Sequence, residues 1–417
     1  MSPPLTAAEA ARRLGVKPAT LYAYVSRGTL RRQRAADGRT SLFDADEVER
    51  LARRGRPRRP ANAVDITVES QLTEITQDRL RYRGHDAIEL AATRSFEDVA
   101  ELLWTGALPS GKPGDAAGWQ APWPALEVGK NAYAVLPDSV LPLEAMQVVV
   151  PAMAVTDPLR LHLDRPAVIA AGQAIIAGIV DCLPLKGEPV GPGIAERLWA
   201  RLCEREGERE GDREGKGSRR PSRPMLRALS AALVLLADHE LAASTLAART
   251  AASARADPYA VVSAGLGAMS GTLHGGASLA VEALLAAARD PADMPRVVGD
   301  ALRRGERIPG FGHSVYRGED PRFTCLMRLV REAAPRSRAL AVTDAVIAEV
   351  RRKSLPAPNA DLALGTLAAA AGMTRGAGEA IFAVARTAGW LAHALEAYES
   401  GKLLRPRASY TGPASAP

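Results

Sequence analysis

Residues Ile308 to Arg322 carry the densest chemistry in the chain. Pro309, Gly310 and Gly312 break any helix there and let the backbone approach a ligand closely, so His313 sits on a tight loop with Arg317 and Arg322 following it. One titratable imidazole beside two guanidiniums suits an anionic substrate. Taken alone, such a loop reads more plainly as a helix connection with a surface histidine. Two further groups of residues outweigh that reading: His239 and His274, set in Leu236–Thr245 and Gly271–Ser278, and Asp361, set in Pro358–Leu362. The chain has six histidines, and these motifs hold three of them. No two of the three have the helix-face or hairpin spacing of metal ligands, so no metal is expected.

In order and in separation, these stretches match the signature of the citrate synthase family. The resemblance also takes in Leu80–Gly84 with the helix after it, Ala385–His393 and the tail Arg405–Gly412, and so runs from Asp65 to Gly412. That family joins the methyl carbon of an acyl-CoA to the ketone of a 2-oxo acid, usually oxaloacetate, and then hydrolyses the thioester. Taking a proton from the methyl needs a base on one side of the carbon and a donor to the thioester oxygen on the other, because a free enolate is too high in energy. By resemblance Asp361 is the base, and His274, its ring oriented by the Gly275–Gly276 turn, is the donor. His313 then polarises the ketone and protonates the new alkoxide, and His239 positions the same substrate. A dicarboxylate must be neutralised and held flat, which planar guanidiniums do better than Lys. Arg322, Arg386 and Arg405 match those positions, and Arg317 matches a contact with CoA phosphate. Singly, each residue has a plainer role: Asp361 as a helix cap after Asn359, Arg386 in a core ion pair, His239 as a satisfied buried histidine. The chain departs from the family at Ala242 and Ser278, where Asn is common, and at Leu362–Gly365. The resemblance implies a citrate synthase using acetyl-CoA and oxaloacetate, with no resident cofactor. The alternatives are a 2-methylcitrate synthase using propionyl-CoA and a transcription regulator that senses oxaloacetate or CoA esters. Intact Asp361, His274 and His313 favour an enzyme, since a sensor needs no general base.

The elements that position these residues read as helices. After a short hairpin beyond Asp65, Ala and Leu recur at helical spacing, as in Ser95–Leu103 with Phe96, Val99, Leu102 and Leu103 on one face, and alternating strand patterns are almost absent. A mainly α fold follows. By resemblance it is two-lobed, with a large domain from 65–278 and 373–417 and a smaller CoA-binding domain at 279–372 that closes over the substrates about a hinge near Pro309–Gly312. Arg405 lies beyond the last long helix, which Pro406 keeps from continuing over its own subunit. The resemblance sends that tail to the partner in a homodimer. A charged insertion, 204–224, interrupts the helices; its stretch 204–223 has 6 acidic and 7 basic residues and no aliphatic one, so it has nothing to bury. Gly265, Gly267 and Gly271 lack the spacing of a dinucleotide-binding turn and read as helix-packing glycines.

Charge sets the first residues apart. Residues 1–60 hold 14 Lys and Arg against 6 Asp and Glu, a net of +8; the rest of the chain has 40 against 41, or −1. Thr6 and Glu9 form a capping box, Gly15 ends that helix, and Pro18 starts a second one through Leu21, Tyr22 and Val25 to a stop at Gly28. Leu30–Ala36 and Arg39–Phe43 flank the turn signal Asp37-Gly38, and Asp44 with Glu47 caps a further helix. This module, 1–54, resembles the winged helix-turn-helix of the MerR and excisionase type. The resemblance turns Lys17, Thr20, Tyr22 and Arg27 toward a major groove and Arg31, Arg32, Arg34 and Arg39 toward phosphates. A helical protein-interaction domain with a solvated basic face is the alternative. Residues 55–64 read as a basic linker. Cys182, Cys203 and Cys325 lie in no paired spacing and read as reduced thiols. No apolar run reaches membrane-spanning length and no signal-peptide pattern opens the chain, so a soluble cytoplasmic protein is expected.

Overall fold

A computed structural model describes residues 5–14, 21, 25, 30, 32–34, 41–45, 47–48, 68–76, 79–111, 118–203, 220–272, 274–288, 290–316, 318–408 and 412. The chain divides into two units, Met1–Glu69 and Ser70–Pro417.

In the first unit α1 (Ala7–Leu14) begins with the expected capping box: Thr6 N donates to Glu9 Oε2 at 2.8 Å, and Glu9 N to Thr6 Oγ1 at 3.4 Å. Three antiparallel strands, β1 (Leu5–Thr6), β2 (Arg32–Arg34) and β3 (Ser41–Phe43), form a sheet in the order β1-β3-β2, with Arg32 opposite Phe43 and Arg34 opposite Ser41. The antiparallel pairing of β2 with β3 agrees with the sequence reading, whose turn signal Asp37-Gly38 lies outside the described residues. The pairing of β1 was not legible, because two residues before a helix cap show no alternation. Ala10, Ala11, Leu21, Leu30, Phe43 and Val48 make a small core, and Asp44 Oδ1 accepts from Glu47 N at 2.8 Å as the sequence suggested. Arg32 is exposed on β2. Lys17, Thr20, Tyr22, Arg27, Arg31 and Arg39, the side chain of Arg34 and the linker 55–64 lie outside the described residues.

The second unit opens with a small antiparallel sheet, β4 (Thr73–Ile75), β5 (Leu80–Tyr82) and β6 (His85–Asp86), and is otherwise helical. Helices α2 (Ala87–Thr93), α3 (Phe96–Thr105), α4 (Trp123–Ala134), α5 (Pro142–Ala154), α6 (Arg165–Asp181), α7 (Ile194–Leu202), α8 (Arg223–Leu236), α9 (Ala243–Ser253) and α10 (Pro258–Met269) come first. After them run α11 (Gly276–Ala287), α12 (Met294–Arg303), α13 (Pro321–Ala333), α14 (Arg338–Arg352), α15 (Ala360–Ala371) and α16 (Ala377–Ser400). Ser95 caps α3 as a capping box with Asp98.

Helix α16, 24 residues long, is the axis of this unit and is packed by α3, α6, α8, α9 and α10. Its small residues let neighbours come close. A Cβ at Gly389 would lie 2.4 Å from Ala237 O, and one at Gly265 of α10 would lie 2.5 Å from the Trp390 ring, so Gly265 is a packing glycine. No helix among the described residues is long and apolar enough to cross a membrane.

Two boundaries differ from the sequence reading. The charged insertion does not reach 224: Ser222 caps α8, accepting from Met225 N at 3.3 Å, and Pro224 fits its first turn, so helix begins at Arg223. Residues 204–219 lie outside the described residues. At the other end α16 is stopped by Gly401, left-handed at φ 62°, rather than by Pro406.

Candidate active site

Two loops are laced together. Gly312 N donates to Ala357 O at 2.7 Å, Asn359 N to Gly310 O at 2.9 Å, and Asn359 Nδ2 to Gly312 O at 2.9 Å. Gly310 and Gly312 have φ of 80° and 87°, and a Cβ at Gly310 would meet Leu362 Cβ at 2.8 Å, so both glycines are needed for this approach. Asn359, not Asp361, caps α15, accepting from Asp361 N at 3.0 Å. Buried Asp320 caps α13 and forms a fork with Arg322, taking Nε at 3.0 Å on Oδ1 and a terminal nitrogen at 2.8 Å on Oδ2. Its Oδ2 also accepts from Ala360 N at 3.2 Å. One carboxylate thus fixes the starts of α13 and α15, bringing His313, Arg322 and Asp361 onto one frame.

His313 Nδ1 accepts from Val315 N at 2.9 Å and Tyr316 N at 3.3 Å, which places the proton of the neutral ring on Nε2. An Arg322 nitrogen lies 3.3 Å from that same Nε2. Two donors cannot bond each other; they converge where an electron-rich oxygen would bond both. Burial, with Arg322 next, pushes the His313 pKa down from 6.5 to about 4, so the ring is neutral at pH 7. His239 stands edge-on to it at 5.1 Å between ring centres, with its Nε2 3.1 Å from the Tyr316 hydroxyl. Burial also holds His239 well below its ordinary pKa, and Arg322 and Arg386 add to the effect. His239 projects from the turn after α8, where the Tyr82 hydroxyl reaches Leu235 O and Asp238 O at 3.0 and 3.1 Å.

His274 lies in the turn between α10 and α11. Its Nε2 is 2.7 Å from Ser244 Oγ, and that oxygen is 3.3 Å from the Trp390 indole nitrogen. Indole only donates, so Ser244 accepts from Trp390 and its own proton is free to go to His274 Nε2; in that arrangement the ring proton sits on Nδ1. The hydroxyl holds this edge of the ring. Gly275 shapes the backbone instead, its N–H reaching Met269 O at 2.9 Å. Burial, with Arg386 second, takes the His274 pKa to about 4.

Asp361 Oδ1 accepts from Ser278 Oγ at 2.7 Å, and burial raises the carboxyl above its usual range while Ser278 and Arg322 oppose the rise. Arg386 on α16 is buried, with Nε on Leu236 O at 2.8 Å, its guanidinium carbon 4.7 Å from the Phe382 ring centre and one terminal nitrogen without a partner. Burial lowers its pKa to about 10, which still leaves it cationic at pH 7. Its charge acts on His239, His274 and Asp361 alike, so the site converges on it.

The chain thus brings together His239, His274, His313, Arg322, Asp361 and Arg386. It does not bring Arg405 to them: that residue is exposed on the tail, where Leu404 N bonds Ser253 Oγ at 3.0 Å. Arg317 lies outside the described residues. Among the described residues no three His, Cys, Asp or Glu are grouped to hold a metal. Chemically the site offers two neutral imidazole donors, a carboxylate of raised basicity and two fixed cations.

The family described as "Citrate synthase, C-terminal domain" matches residues 64–407. The chain belongs to the citrate synthase family. It is accordingly an acyltransferase. Residues 4–56 match a second family, "Helix-turn-helix domain". Citrate synthase 2 of Bacillus subtilis is 31% identical over 377 residues, covering 84% of this chain and 94% of its own. The 2-methylcitrate synthase 1 of Corynebacterium glutamicum is 28% identical over 350 residues, covering 80% and 89%. The crystal structure of citrate synthase from Thermotoga maritima superposes with a TM-score of 0.67 at 26% identity, covering 84% of this chain and 94% of that one.

Within this citrate synthase-family site, the sequence reading missed Ser244, Tyr316, Asp320 and Trp390. Asp320 had a signal, an acidic residue before Pro321 at a helix start. Ser244 and Trp390 lie within Leu236–Thr245 and Ala385–His393, but nothing in their types pointed to a contact 146 residues apart.

Proposed function

We propose that the protein condenses acetyl-CoA with oxaloacetate to give citrate and CoA. What supports this most is the pairing of two imidazoles, each kept neutral by burial, with a carboxylate whose basicity burial has raised. In this reading Asp361 removes a proton from the methyl of acetyl-CoA while His274 Nδ1–H bonds the thioester oxygen, so that an enol forms rather than a free enolate. The enol carbon attacks the ketone carbon of oxaloacetate. His313 Nε2–H, beside Arg322, polarises that ketone and gives its proton to the new alkoxide. Water then cleaves the thioester, releasing CoA. His239 positions the oxo acid, Arg322 and Arg386 take its carboxylates, and Arg317 meets CoA phosphate. The polarising donors are all side chains, so the reaction as drawn uses no resident cofactor.

The lobe 279–372 closes over both substrates in this reading, and the working unit is a homodimer in which Arg405 enters the partner's site. Large apolar side chains exposed on and near α4 and α5, including Trp123 at 70%, Val155 at 71% and Leu161 at 69%, favour a covered face there. The module 1–54 binds duplex DNA, supported by its net charge and by the helix-turn-helix match. Binding to duplex DNA should fall steeply with salt and disappear on deletion of residues 1–60, with turnover retained; no binding at low salt would leave a protein-interaction module.

The acyl group is tested by steady-state assay of oxaloacetate with a series of acyl-CoAs. Acetyl-CoA should give the highest kcat/KM. A higher value with propionyl-CoA would make the enzyme a 2-methylcitrate synthase, and no turnover with any would leave a sensor.

A further inference from the structure

Ser278 stands in the first turn of α11, fully buried, four residues after His274. Its place is fixed by main chain. Where α11 crosses α15, a Cβ at Gly365 would come within 2.5 Å of Val281 Cγ1; where α16 begins, a Cβ at Gly378 would lie 3.1 Å from Ser278 Cβ. Three helices therefore set the 2.7 Å between Ser278 Oγ and Asp361 Oδ1 by close backbone approach rather than by side-chain reach. An ionised carboxylate only accepts and a hydroxyl has one proton to give, so Ser278 is the donor.

We propose that Ser278 is a positioning residue for the base: its hydroxyl holds Asp361 Oδ1 and so leaves Oδ2 as the oxygen that takes the substrate proton. This rests on Asp361 being the base of the proposed reaction. Among the described residues no other side chain donates to Asp361. Of the charged groups around it, Arg322 on α13 and Arg386 on α16 favour the ionised form, and Asp320 at the start of α13 opposes it. His274, ahead of α11, is neutral at pH 7. A single donor steadies the carboxylate against burial without occupying both oxygens, and it ties the base to the helix that follows the His274 turn. A site with two donors would hold a weaker base, and one with none would hold a carboxyl that burial raises further, opposed only by Arg322 and Arg386.

The test compares the full-length protein with Ser278→Ala, measuring kcat and the KM for oxaloacetate as functions of pH, with circular dichroism to confirm the fold. The acid limb of kcat should move up by about one pH unit, and kcat on the plateau should fall by ~10-fold or less, with the KM for oxaloacetate unchanged. A folded Ser278→Ala enzyme whose acid limb stays where the parent's is would overturn the role of Ser278 while leaving Asp361 as the base. A parent protein that condenses no acyl-CoA would instead overturn the reading of the site, and this inference with it.

Discussion

Arg386 shows how single residues divide the work in this site. Its Nε is spent on Leu236 O and its flat face lies on Phe382, so the ring of donors left over, including one terminal nitrogen without a partner, is already aimed and already desolvated. A buried donor left unpaired is costly, and a substrate carboxylate removes that cost on binding. Arg386→Lys keeps a charge but loses the fork, so it should raise the KM for oxaloacetate by ~10–100-fold, a change in binding rather than in chemistry. Unchanged KM in steady-state assays would place the substrate carboxylates elsewhere. The three histidines were legible in the sequence because histidine is scarce and, for His274 and His313, because their loops are glycine-rich. Their protonation was not. Ser244 and Trp390 meet only when α9 and α16 pack, so the hydrogen-bond partner of His274 is a property of the fold.

At the scale of elements, the first turn of α16 holds a second kind of tension. Glu282 of α11 spends both carboxylate oxygens on Gly376 N at 2.8 Å and Gly378 N at 3.0 Å. Buried Glu379 beside them is pushed up from 4.5 to about 7 by burial first and by Glu282 and Glu144 next. A raised acid favours the fold while protonated, so its contribution is present below 4.5 and is lost as pH rises through 7. Glu379→Gln should therefore flatten the alkaline fall in stability, gaining about 1–3 kcal/mol at pH 8 relative to pH 4. Denaturant titrations at the two pH values check this, and an equal change at both would remove Glu379 from the pH dependence. His274 and His313 act oppositely: each is lowered from 6.5 to about 4, so stability is lost as pH falls across that interval. The mainly helical architecture was legible from Ala and Leu spacing, and Gly265 as a packing residue from its helical context. That Arg405 lies beyond α16 was legible, although the stop is Gly401, whose left-handed φ only the fold reveals, and not the proline five residues on. The start of α8 at Arg223 was hidden by neighbours of like charge, although Ser222 and Pro224 were there to be read.

For the whole molecule, one chain alone leaves Arg405 exposed on a tail past α16. If that residue completes the partner's site, Arg405→Ala and Asp361→Asn homodimers are both nearly inactive, whereas a mixed dimer has one site with both residues intact. After subunit exchange at equal concentrations, roughly a quarter of parental activity should return, since half the dimers are mixed and each has one good site of two. Verified exchange without recovery would confine Arg405 to its own subunit or to no site at all. The most direct test of the mechanism is simpler. Asp361→Asn preserves the size of the side chain and its hydrogen bonding but cannot accept the methyl proton, so turnover with acetyl-CoA and oxaloacetate should fall by ~10²–10⁴ with oxaloacetate affinity unchanged. Turnover near that of the parent would contradict the account, because it would remove Asp361 from the proton transfer.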